Sequence, residues 1–247
     1  MPSFAAAIHG RAARIIRAMC ELFVARADEP FAIGDLWHYA ERLERYGLAG
    51  FGWGAAWLAG DGRLATHRDI RAMRDDGEAV ERVGAVETTA LLVHLRRPSR
   101  LSTLGMADTQ PFADRAGRFA FSHNGDLADW RPWRRRYLAE GRIAGRADSE
   151  VAARWLEDAW RDAEPVPHLL GALHDALGGE ANFGLLDASG RPWVYAGNPE
   201  NPVFAFRLGR IAVASTGIYS LDRSLFRFVA RGATERRVVP LHGTVGV

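Results

Sequence analysis

Nine short apolar runs constrain the fold of this chain more than any other feature. They are CELFVA (20–25), GWGAAWLA (52–59), ALLVHL (90–95), RFAFSH (118–123), NFGLLD (182–187), PWVYAG (192–197), VFAFRL (203–208), IAVAST (211–216) and RVVPL (237–241). Runs this short, alternating or continuously apolar, read as β-strands. Turn signals punctuate them: AGDGR at 59–63, DASGRP at 187–192 and LGR at 208–210. Helical spacing predicts helices over 33–46, where Ile33, Leu36, Trp37, Ala40 and Leu43 share a face, and over 149–160, where Val151, Ala152, Trp155, Leu156 and Trp160 do. The stretch 166–177 is a third helix. Strands, then helices, then hairpin strands imply an α+β fold with antiparallel sheets. No repeat, linker or low-complexity segment divides the chain, so one domain is expected.

Composition narrows the function classes. All 32 basic residues are arginine, yet the formal net charge is only +2. The one dense basic run, RPWRRRY at 131–137, reads as a solvated helix face; a phosphate-binding role needs more charge around it. A nucleic-acid partner is therefore not expected. The single cysteine, Cys20, makes no internal disulfide, which fits a reducing cytoplasm. No apolar run reaches the roughly 18 residues of a membrane span.

Four stretches carry candidate chemistry, and each has an ordinary role too. Cys20 opens a strand-like run, as a small buried hydrophobe would. His94 and Arg96 close another, as a core histidine and a surface charge. Asn124-Gly125 is a natural tight turn. Asp148 stands where a helix N-cap belongs. Taken together they describe an acyl-transfer pocket. A cysteine at a free N-terminus carries its own base, since an α-amine titrates near ~8. An asparagine amide and the next backbone N–H suit an oxyanion. An arginine grips an α-carboxylate with its planar fork, and an aspartate takes an α-ammonium. Those groups match the glutamyl part of glutamine.

The motifs run in order as Met-Cys-Glu-Leu (19–22), Gly-Trp-Gly (52–54), His-Leu-Arg (94–96), Asp-Thr-Gln-Pro-Phe (108–112), His-Asn-Gly (123–125) and Asp-Ser-Glu (148–150). This order resembles the class II glutamine amidotransferases, which are N-terminal-nucleophile hydrolases. The likeness is greatest to the small stand-alone members, which include the γ-glutamyl hydrolase of ergothioneine biosynthesis. The resemblance implies a four-layer αββα sandwich of two antiparallel sheets. It implies Cys20 as nucleophile with its α-amine as base, and Asn124 and Gly125 as the oxyanion hole. Arg96 then holds the substrate α-carboxylate with help from Ser99, and Asp148 holds the α-amine. The reaction implied is cleavage of a γ-glutamyl amide through a glutamyl thioester, with no cofactor and no metal.

Two departures bear on the leaving group. Phe51 stands where many relatives have aspartate before Gly-Trp-Gly, and Asp108 and Gln110 replace the relatives' asparagine and histidine. A third departure is larger: residues 1–19 precede Cys20, and with them attached the cysteine has a peptide nitrogen instead of an amine. The absence of a 7–15-residue apolar stretch argues against a secretory signal, while three arginines without an acid would also suit an amphipathic transit-like helix. An early start codon, with Met19 as the working start, is the preferred reading; a cleaved propeptide is the second. The domain proper is then 20–247. Two rivals stay open, a glutaminase subunit passing ammonia to a synthase partner, and a non-catalytic γ-glutamyl-binding protein that retains residues 1–19. Homo-oligomerisation is left open as well.

Overall fold

The computed structural model describes residues 20–218 and 224–247. The expected leader, 1–19, and the middle of the 217–235 loop lie outside the described residues. The first part of the chain forms β1 (Glu21–Ala32), α1 (Trp37–Tyr46), β2 (Trp53–Leu58), β3 (Leu64–Asp69), α2 (Gly77–Gly84) and β4 (Glu87–Leu95). The middle forms β5 (Phe112–Ala113), β6 (Phe119–Asp126), α3 (Trp130–Ala139), α4 (Asp148–Ala159) and α5 (Val166–Leu177). The last part forms β7 (Glu180–Asp187), β8 (Pro192–Tyr195), β9 (Val203–Leu208), β10 (Ile211–Thr216), α6 (Ser224–Val229), β11 (Thr234–Val238) and β12 (Thr244–Gly246).

The strands make two antiparallel sheets. One has seven strands in the order β11-β9-β10-β1-β4-β2-β3, and the other has five in the order β12-β8-β7-β6-β5. Side-chain alternation then sorts the core into layers. On β1, Phe23 and Ala25 pack outward against α1 residues such as Ala40 and Leu43. Leu22 and Val24 point the other way, into a layer shared with Ala120 of β6, Leu186 of β7 and Val194 of β8. The outer face of the five-stranded sheet is covered by Leu156 of α4 and by Leu169, Leu170 and Leu173 of α5. The result is the expected αββα sandwich. Its middle layer is rich in alanine, and Gly184 faces Leu92 so closely that a Cβ would sit 2.9 Å from Leu92 Cδ1. Small side chains let the two sheets approach.

The three predicted helices form, with 33–36 as a 3₁₀ turn leading into α1. The basic run 131–137 lies on α3, as expected. One strand moves: the predicted 237–241 is replaced by Thr234–Val238, because Pro240 has no N–H to donate to a ladder. The sequence also hides β3, β5, α2 and β12. LATHRD of β3 has no apolar run and lies half-exposed at a sheet edge, and β5 and β12 are only 2 and 3 residues long. Among the described residues, no helix is long and apolar enough to cross a membrane.

Candidate active site

A cleft of about 520 Å³ opens at one end of the sandwich. Cys20, Arg96, Ser99, Gly125 and Asp148 all line it. Asn124 is buried beside them in β6. Folding therefore gathers at one cleft residues separated by up to 128 positions in the sequence (148 − 20).

Cys20 immediately precedes β1, and its side chain shares the inter-sheet side with Leu22 and Val24. Arg97 fixes the sulfur: its N–H donates to Cys20 Sγ at 3.3 Å, and the thiol donates to the Arg97 carbonyl at 3.5 Å. Burial pushes the thiol up to about 11, against the opposing pull of the Arg97 N–H and the Arg96 charge. With a peptide nitrogen at Cys20, the thiol is protonated at neutral pH.

Arg96 follows β4 and is 3% exposed, so it is not a surface charge. Its backbone is clamped by the Gly50–Gly52 turn: Arg96 N–H donates to Gly52 O at 2.9 Å, and Gly50 N–H donates to Arg96 O at 3.0 Å. Gly52 has φ +131, and a Cβ there would press on Asp69 O (3.1 Å) and Arg96 Cδ (3.4 Å). The guanidinium donates to the carbonyls of Thr103 and, at 3.4 Å, Gly105, and to Thr109 Oγ1 at 3.4 Å. These neutral acceptors occupy donors that a substrate carboxylate would take in preference.

Asn124 and Gly125 lie near the C-terminal end of β6, paired with Asn182 and Ala181 of β7. Both Nδ2 and Oδ1 of Asn124 are buried without a hydrogen-bond partner among the described residues. Such a group costs free energy unless something else supplies the bond. Gly125 has φ +129, and a Cβ there would collide with the Glu180 carbonyl oxygen across the ladder to β7. Asn124-Gly125 is therefore not a tight turn but part of the β6–β7 ladder, at a position where the backbone conformation and the Glu180 carbonyl leave room only for glycine.

Asp148 does not cap α4. The cap residue is Ala147, with no side-chain cap, and Asp148 is the first helical residue. Its Oδ2 instead accepts from Leu127 N at 2.9 Å, tying α4 to the chain just beyond β6. Asp148 Oδ1 lies 3.8 Å from His123 Nδ1. His123 is buried, its Nδ1 is 3.0 Å from Ser149 Oγ, and burial lowers its pKa.

The two unusual residues of the 108–112 motif have defined roles. Asp108 Oδ1 accepts from Arg146 N (2.6 Å) and Ala147 N (2.7 Å), holding the turn before Asp148. Gln110 spans the two halves. Its Oε1 accepts from His123 N at 2.6 Å, and its Nε2 donates to His123 O at 3.1 Å and Ser149 Oγ at 3.2 Å. The absence of a side chain at Gly54 makes room for the Gln110 carbonyl. Arg68 Nη1 donates to Thr109 O at 2.8 Å on the same segment. The Gly-Trp-Gly motif and the 108–112 motif are thus one structural unit behind the cleft. Sequence reasoning missed Gln110 and Arg97 as positioning residues; the second acts on Cys20 through its backbone, which leaves no side-chain signal.

Among the described residues, no group of three or more His, Cys, Asp or Glu is arranged to hold a metal ion. The cleft offers a thiol, a guanidinium and a carboxylate, with the unpaired Asn124 amide buried next to the lining residue Gly125, a set suited to acyl transfer on an amino-acid substrate.

Residues 19–198 match the family model of the class-II glutamine amidotransferases. No curated protein sequence matches the chain. Among solved structures, the fold is similar to glutamine phosphoribosylpyrophosphate amidotransferase from B. subtilis complexed with ADP and GMP, with a TM-score of 0.67 and 18% identity, over 92% of this chain and 49% of that one. It is also similar to a glutamine aminotransferase class-II domain protein from Silicibacter pomeroyi, with a TM-score of 0.57 and 14% identity, over 92% and 98%. The chain therefore spans about half the length of the first structure and nearly all of the second.

Proposed function

Because this chain belongs to the class II glutamine amidotransferase family, we propose that it is a cysteine amidohydrolase that cleaves a γ-glutamyl amide through a glutamyl thioester. The observation that carries the reading is the unpaired, buried Asn124 amide next to Gly125, which lines the same cleft as the chain's only thiol. A donor kept dry and unoccupied suits an oxyanion that exists only during the reaction.

The working chain begins at Cys20 in this proposal. Its α-amine takes the thiol proton, which the burial of the sulfur otherwise retains. The thiolate attacks the γ-carbonyl carbon, and the developing oxyanion meets Asn124 Nδ2–H and Gly125 N–H. The C–N bond breaks as the amine leaves with a proton from the α-ammonium. Water, deprotonated by the α-amine, then hydrolyses the thioester to release glutamate and restore the thiol. Arg96 and Ser99 receive the substrate α-carboxylate, the former exchanging the Thr103 and Gly105 carbonyls for it. Asp148 receives the α-ammonium. A cytoplasmic location accompanies this reading, on the strength of the lone thiol.

The test is intact mass together with activity. Active native protein is expected to start at Cys20 and to release glutamate from L-glutamine or a γ-glutamyl amide, and Cys20→Ala is expected to abolish release. Active protein that retains residues 1–19 refutes the amine as base. No glutamate from any γ-glutamyl amide refutes the amidohydrolase.

A further inference from the structure

The cleft is larger than a glutamyl group requires, and its charges are sorted by depth. A volume of about 520 Å³ lies within the range of roughly 300–1,000 Å³ that encloses a drug-sized ligand. Every carboxylate that lines it is buried or half-buried: Asp108, Asp126, Asp148 and Glu180. Every exposed charged residue that lines it is an arginine: Arg100, Arg131 and Arg146. Arg97, half-buried, adds a fourth cation beside the thiol.

These arginines come from three separate elements, the loop after β4, the start of α3 and the turn before α4, so their convergence is a product of the fold. No acidic side chain among the described residues forms an ion pair with Arg100, Arg131 or Arg146. Asp108 accepts from the backbone N–H groups of Arg146 and Ala147, and no ion pair joins it to the Arg146 guanidinium. Arg131 is spread over the ring of Trp130, which also lines the cleft, with its guanidinium carbon 5.3 Å from the centroid. The basic run of α3 divides: Arg136 pairs with Glu140 and Asp158 on the solvent side, while Arg131 turns to the mouth. The extra charge that a lone run lacked is supplied by the neighbouring loops.

We infer that the amine half of the substrate carries an anionic group, a carboxylate or a phosphate, which the Arg100–Arg131–Arg146 rim binds while the γ-glutamyl half lies inside. This rests on the amidohydrolase reading above. The inner end takes an ammonium and a carboxylate, and the rim takes a second anion. Ammonia as leaving group, from glutamine itself, would leave the rim unused.

The experiment compares charged and uncharged members of two substrate pairs on the active protein as purified, the first pair of equal shape and the second differing by the phosphate itself. One pair is γ-L-glutamyl-L-alanine and γ-L-glutamyl-L-alaninamide; the other is γ-L-glutamyl-O-phosphoethanolamine and γ-L-glutamylethanolamine. The charged member of at least one pair is expected to have kcat/KM higher by about ten-fold, chiefly through KM, as several partly exposed ion pairs allow. The pair with the larger ratio identifies carboxylate or phosphate as the source. The ratio is expected to shrink as salt screens the rim, and to fall toward one in Arg131→Gln combined with Arg146→Gln. Equal kcat/KM within both pairs, in protein that hydrolyses them, overturns the inference and leaves the amidohydrolase standing. No hydrolysis of any of the four or of L-glutamine overturns both. Should the double variant fail to fold, the ratio and its salt dependence in the unaltered protein decide the matter.

Discussion

His94 offers a measurement of how dry the inter-sheet layer behind the cleft is. It lies on β4 opposite Leu22 and Gly54, is 0% exposed, and neither ring nitrogen has a hydrogen-bond partner among the described residues. Burial, reinforced by the charges of Arg96 and His123, drives its pKa down to about 3; the nearby His123 backbone, which does not reach hydrogen-bond geometry, opposes this only weakly. In the unfolded chain the imidazole titrates near 6.5. The unfolded state therefore binds a proton as pH falls below about 6.5, while the folded state stays neutral until about 3. Stability is fully present above the unfolded value and is lost as pH falls through the window between the two.

The magnitude follows at once. Each pH unit in that window costs about 1.4 kcal/mol, so going from pH 7 to pH 5 removes about 2 kcal/mol. For a domain of this size that is a fall of roughly 4–8 °C in Tm from this group alone. The assay is urea unfolding at pH 7 and pH 5 for the unaltered protein and for His94→Gln. Other titrating groups, including His123, whose pKa burial also lowers, remain in both proteins. The variant is expected to lose about 2 kcal/mol less between the two pH values. Any stability lost at pH 7 on making the substitution drops out, because each protein is compared with itself. An identical pH dependence in both would show that His94 is hydrated or protonated in the fold, and the dry inter-sheet layer would be refuted.

Three further perturbations probe the cleft. Asn124→Ala is expected to lower kcat by roughly 10²–10³ with little change in KM, the loss of one oxyanion donor; a normal kcat in folded protein removes Asn124 from the oxyanion hole. Gly125→Ala forces a Cβ against the Glu180 carbonyl at φ +129 and is expected to destabilise the protein by at least about 2 kcal/mol in urea unfolding; an unchanged midpoint would mean that the β6–β7 contact yields. Arg96→Gln is expected to raise KM for a γ-glutamyl amide more than it lowers kcat, since the carboxylate contact is made in ground and transition states alike; an effect on kcat alone would place Arg96 at the reacting atoms.

The fold was legible where a run of one kind stops at a residue of another. The strands 203–208 and 211–216 and the helix 166–177 have the boundaries read from the sequence, because Gly209 and Gly178, both at positive φ, end their elements. β3 was hidden because an edge strand needs no apolar face, and α2 because its eight residues bury only Ala79 and Val83. The site was legible only as far as side chains announce themselves. The Arg97 amide that holds Cys20 Sγ is a backbone donor, and any residue there would supply it. Gln110 looked like a lost histidine, yet both ends of its amide are used, on the His123 backbone and Ser149.

Charge shows the same limit most clearly. A net charge of +2 describes an almost neutral chain, and it averages away the arrangement that governs which substrate enters. Folding places Asp148, Glu180 and Arg96 within the cleft and Arg100, Arg131 and Arg146 at its lip, so a ligand meets a cationic rim before an interior of both signs. Neither the spacing of those arginines nor their number distinguishes them from the chain's other solvated arginines. What distinguishes them is that folding brings all three to one cleft, a property of the folded surface, and it is this convergence of charge that the paired-substrate experiment reads.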